Sequence, residues 1–189
     1  MKHTIIAVVV IALSACAGQQ SSIVDKLDSG TGVTVTYSQT PMVFFVDNSW
    51  VAAHARNVIH MGPIEVNRMG EFRYYLWLGI WNTLQDPISG NTRDGFESIV
   101  IYADGEPLPL DIAGWTPASI GASESVYVRP VSSAADAYYE VTVDHLRLIS
   151  ASREIRIQTT GNRAQIYEPW NEQNSARLSM KAFLAESVY

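Results

Sequence analysis

One cysteine, Cys16, stands in 189 residues. A lone thiol forms no intrachain disulfide, so the fold must hold together by core packing, and a Cys-rich metal site is excluded. Lysine is nearly as scarce, three residues against ten arginines, and the net charge is −6. An acidic chain without clustered basic residues is a poor partner for a phosphate backbone, so nucleic acid is not expected as a ligand. The longest apolar run, Ile5 to Leu13, falls short of the roughly 20 residues a membrane span requires. There is no HExxH pair, no GxSxG elbow and no glycine-rich phosphate loop. Ser123 sits in Gly121-Ala122-Ser123-Glu124-Ser125, which lacks the second glycine of an elbow. The scattered carboxylates give no reason to single out a catalytic pair. No motif calls for a cofactor, and the sequence predicts a non-enzymatic protein.

What is present begins at the N-terminus. Lys2 and His3 form a short basic region, Ile5 to Leu13 an apolar one, and Ser14-Ala15 supply small residues before Cys16. This is the three-part pattern of a secretory signal. Leu13-Ser14-Ala15-Cys16 resembles the lipobox of bacterial lipoprotein signal peptides, and the resemblance is confined to these first residues. It implies removal of residues 1–15, acylation of Cys16 and attachment to a membrane through the acyl chains. A single chain binds only marginally, whereas several together are practically permanent. By the same resemblance Ala17, in place of an Asp, implies sorting to the outer membrane, with the domain on the periplasmic side. Losing Lys2 makes the mature charge 12 − 19 = −7, so acyl chains rather than headgroup attraction carry the membrane contact.

Residues 16–31 read as a lipidated N-terminus and flexible tether, with one helical turn at Ile23 to Leu27. Residues 32–189 read as one domain. From Val33 the apolar period becomes two, the mark of strands. Met42 to Val46 is a short apolar strand. Asn57 to Asn67 is another, which Pro63 assigns to an edge or a bulge. Glu71 to Thr83 is apolar on both faces, with Phe72, Tyr74, Leu76, Leu78 and Ile80 on one and Tyr75, Trp77, Gly79 and Trp81 on the other. It is expected at the middle of the sheet.

Ser98 to Ala103 and Pro107 to Ile112 form a hairpin around Asp104-Gly105. Val126 to Arg129, Ala137 to Val143 and Glu154 to Thr159 are further strands, and Gln165 to Tyr167 pairs with the last of them. Asp144 is expected to cap a short helix over 145–150. A C-terminal amphipathic helix spans 171–186, its N-cap Asn171 or Asn174, with Ala176, Met180, Phe183 and Leu184 inward. The expected fold class is mainly β (α+β), an antiparallel β-sandwich-like domain with these two helices.

Tyr75, Trp77 and Trp81 are the candidate binding residues, with Trp50 and Trp115 nearby in sequence. Large aromatics with a polar tip suit ligand grooves and protein interfaces, and equally a sealed core. Tyr167-Glu168-Pro169-Trp170 is an aromatic-flanked turn, either a contact point or the entry to the last helix. The functional expectation is an envelope lipoprotein serving as a binding or scaffolding module for another envelope protein. The alternative is a ligand- or metal-binding hydrolytic domain whose site gathers His54, His60 and acids such as Asp47 from separate loops. His145 is expected in the first turn of the short helix.

Overall fold

The computed structural model describes residues 23–48, 53–84, 93–161, 164–170 and 174–187. Cys16, Trp50, Asn171 and the side chain of Ala176 lie outside them. Among the described residues ten strands follow in order: β1 Ile23–Leu27, β2 Thr34–Ser38, β3 Met42–Asp47, β4 Arg56–Arg68, β5 Glu71–Asn82, β6 Ser98–Ala103, β7 Glu106–Gly114, β8 Ala135–Val141, β9 Ile155–Thr159 and β10 Ile166–Pro169. Helix α1 is Val143–Ala151 and α2 is Asn174–Ser187.

All pairings are antiparallel, and the order β4-β3-β10-β9-β6-β7-β8-β5 closes on itself through the long β4–β5 hairpin. The architecture is therefore an eight-stranded barrel and not the expected sandwich. The closing contact is β3 against β10, Phe45 opposite Glu168, a pairing between segments distant in the chain. β1 and β2 extend the wall beyond β3: β2 pairs with the far half of β4, at Ile64 to Asn67.

The barrel is filled. Met42, Phe44, Ile59, Met61, Leu76, Leu78 and Ile80 meet inward residues of the other strands, including Tyr139 and Tyr167. Eight strands enclose just enough space for side chains, and each fully buried large apolar side chain contributes about 1.5–3 kcal/mol. Leu146 and Ile149 of α1 and Met180 and Phe183 of α2 join the same core.

A second core lies outside the wall. Val33, Val35, Ile64, Val66, Tyr75, Trp77 and Tyr138 face outward and are covered by residues 115–134, through Ile120, Ala122, Val126 and Tyr127. This strap contains a 3₁₀ turn at Pro117–Ile120 and no strand, which corrects the strand expected at Val126 to Arg129. β5 is thus buried on both faces, by the barrel interior and by the strap, as its sequence predicts.

Three other expectations are corrected. Ile23–Leu27 is a strand paired with β2, not a helical turn in a tether; three of its five side chains are exposed, so its apolar content alone carries no strand period. Thr142, not Asp144, caps α1, its hydroxyl accepting from the His145 N–H (3.2 Å) while His145 Nδ1 accepts from the Thr142 N–H (3.4 Å). Pro63 lies inside a continuous β4. Its register falls between the last residue paired with β3, Met61, and the first paired with β2, Ile64, so the missing N–H breaks no ladder. Its carbonyl accepts from Tyr127 Oη (3.0 Å).

Candidate functional site

Tyr75 and Trp77 are buried beneath the strap. Trp77 stacks on Tyr127, with ring centroids 4.4 Å apart and planes 11° apart, and Tyr37 meets Tyr127 edge-on at 5.2 Å. Two glycines make the room. A Cβ at Gly62 would overlap the Tyr127 ring, and one at Gly79 would meet the Trp77 indole. Trp77 Nε1 donates to Asp136 Oδ1 (3.0 Å), and Arg129 Nε and Nη2 donate to Asp136 Oδ2 (2.9 and 2.6 Å). The strap's arginine is thereby latched to a fully buried carboxylate on β8. Asp28, before β2, accepts from the Ser123 N–H and hydroxyl and from the Gly30 N–H (2.9 Å). Those donors hold its carboxyl well below the usual carboxylate range. Tyr75 and Trp77 therefore belong to a sealed second core.

Trp81 is half-buried on the outer wall, edge-on to His60 at 6.1 Å. Burial lowers the His60 pKa, favouring the neutral ring. His54 is exposed in the turn before β4, and Asp47 lies opposite Arg56 in the register, some four residues along β4 from His60. Among the described residues no group of three or more His, Cys, Asp or Glu is placed to hold a metal ion, and no helix is long and apolar enough to cross a membrane.

The outer surface that the strap leaves uncovered carries a different cluster. Arg56 Cζ lies 4.7 Å from the Trp170 ring centroid and 5.4 Å from that of Phe45. Phe45 and Trp170 meet edge-on at 5.0 Å. Each member is fixed by the barrel. The Trp170 N–H donates to the Val43 carbonyl (2.8 Å), and the Arg56 N–H donates to Thr83 Oγ1 (2.9 Å). Phe45 is held in the β3–β4 and β3–β10 ladders. Yet Trp170 remains 39% exposed, and Ile166, four residues earlier at the start of β10, is 49% exposed.

Behind this ledge, carboxamides form the rim of the barrel. Asn57 Nδ2 donates to Gln165 Oε1 (3.0 Å), Gln165 Nε2 reaches Asn48 Oδ1 (3.5 Å), and Tyr167 Oη donates to Gln165 Oε1 (3.1 Å). The ledge is a rigid, partly exposed Trp–Arg–Phe surface backed by neutral hydrogen-bonding groups. Such a surface can bind by stacking and hydrogen bonding. Its sequence signal was the aromatic-flanked turn at Tyr167 to Trp170; Phe45 and Arg56 carried none, because only the barrel register brings them beside it.

No family model, no curated protein and no solved structure matches this chain.

Proposed function

We propose that this chain is an outer-membrane lipoprotein, anchored through acyl chains on Cys16 on the periplasmic side, whose barrel is a non-enzymatic binding or scaffolding module for an envelope protein. The observation that carries the reading is the Phe45–Arg56–Trp170 ledge. Trp, Tyr and Arg dominate the energetics of protein interfaces, above all where they are rigidly held. The ledge keeps a tryptophan and an arginine in fixed positions at the surface, where a monomer gains little from them. Its chemistry suits a partner that offers an apolar or aromatic side chain to Trp170 and a carboxylate or carbonyl to the Arg56 guanidinium.

The test is in-cell cross-linking of the affinity-tagged full-length protein, with mass spectrometry of what is captured. One dominant partner is expected, lost in Cys16→Ala and in Trp170→Ala while the circular dichroism of both variants is unchanged. Capture that survives Trp170→Ala contradicts the role of the ledge. Turnover of a substrate by the purified protein contradicts the non-enzymatic reading.

A further inference from the structure

The β4–β5 hairpin ends in a turn that is braced by the Gly70 N–H donating to Asn67 Oδ1 (2.9 Å) but carries an ill-suited residue beside that glycine. Arg68 pairs with Glu71, so the loop is the two residues Met69-Gly70, both at positive φ, +54° and +90°. Such a turn favours Asn-Gly, because a residue with a long side chain is strained in the left-handed region. Met69 takes that conformation and is fully exposed, at 103% of its reference area. It makes no packing contact that offsets the strain.

Two more large apolar side chains accompany it. The register aligns Leu27, Thr34, Asn67 and Phe72 in one row across β1, β2, β4 and β5, so all four point to the same face. Leu27 is 67% and Phe72 48% exposed. With strands about 4.8 Å apart, the two lie roughly 14 Å from each other. Arg68 and Arg73 flank the tip against a single Glu71, which is paired with Arg73 (2.7 Å).

We infer that this tip docks into the surface of the bilayer that carries the anchor, Met69, Phe72 and Leu27 entering the headgroup–acyl boundary and the arginines lying among the headgroups. The inference rests on the lipid-anchored reading above. Apolar side chains edged by basic ones match the interfacial region of a membrane, whereas the acidic remainder of the molecule does not.

Chain length is consistent with it. The first strand starts at Ile23, and the seven residues from Cys16 to Ser22 can span at most about 25 Å. Val24 pairs with Tyr37, which pairs with Ile64, and from Ile64 to Met69 is about 17 Å at 3.3 Å per residue. An anchor on Cys16 therefore reaches the plane of the tip but leaves little slack.

The test uses the full-length lipoprotein reconstituted in vesicles of phosphatidylethanolamine and phosphatidylglycerol. An NBD fluorophore is placed on Met69→Cys, or on Leu84→Cys at the opposite end of the same hairpin. The Met69 label is expected to shift its emission to the blue, to escape aqueous iodide and to be quenched by spin-labelled lipid, while the Leu84 label stays in water. The pair Met69→Asn and Phe72→Ser, carrying the label at Leu27→Cys, is expected to lose the protection from iodide; Met69→Asn alone is expected to raise the melting temperature, because Asn suits the turn. If the protein floats with the vesicles but the Met69 label is as open to iodide as the Leu84 label, docking of the tip is wrong. If the unlabelled wild-type protein does not float with the vesicles, the anchored reading itself is wrong and this inference falls with it.

Discussion

Arg129 and Asp136 are unequal partners. The carboxylate is fully buried and the guanidinium side chain is 45% exposed. Arg129→Ala leaves a buried charge with only the Trp77 indole N–H to satisfy it, a loss of about 3–5 kcal/mol. Asp136→Asn keeps an acceptor for Trp77 and releases an arginine that water can solvate, so about 1–2 kcal/mol is expected. Urea denaturation of the two variants checks the order, and equal losses would contradict this asymmetry.

Protonation makes a second prediction at the same scale. The Ser123 donors depress the Asp28 pKa, so its contribution is present above the ordinary carboxylate value of 3.8 and is lost as pH falls through the lower folded value. Ser123→Ala should move acid unfolding to higher pH, measured by circular dichroism. Burial raises the pKa of Tyr127, Tyr138, Tyr139 and Tyr167 above the ordinary 10.0. These phenols stay neutral in the fold while they ionise in the unfolded chain. Stability is therefore intact below pH 10 and falls as pH rises beyond it, steeply because several groups act together.

At the scale of the element, the strap and the β4–β5 hairpin depend on what two glycines omit. Gly62→Ala would drive Tyr127 off Trp77, a cost of about 1–3 kcal/mol by overpacking. The measurement is a thermal midpoint together with Trp77 fluorescence. A midpoint unchanged from wild type would mean that the strap shifts freely, contrary to its packing.

Several elements were legible in the sequence for physical reasons. β5 reads as central because both its faces are apolar. The β6–β7 hairpin follows from Asp104-Gly105, where both residues take positive φ. β1 was not legible: Ile23–Leu27 has no clear period, and its strand conformation comes from pairing with β2. The strap hid as a strand at Val126 to Arg129 because Val126 and Tyr127 are apolar for burial against Trp77 and Tyr138, not for a ladder.

For the whole molecule, the choice between barrel and sandwich turns on whether β3 meets β10, and the alternation of a strand is the same in either architecture. The filled interior makes the barrel a rigid support, and the surface it displays is set by register. Of the ledge, only Trp170 stood out in the sequence. The aromatics that looked most like a binding surface, Tyr75 and Trp77, belong to the second core.

The most direct test of the ledge as a contact surface is site-specific photo-cross-linking in cells. A benzophenone amino acid replaces Ile166, at the start of the strand that leads to Trp170, or Val128 on the exposed outside of the strap. A contact surface at the ledge predicts one strong, discrete adduct from position 166, abolished by Trp170→Ala, and none from position 128. Equal adducts from both positions, or an adduct at 166 that survives Trp170→Ala, would contradict it.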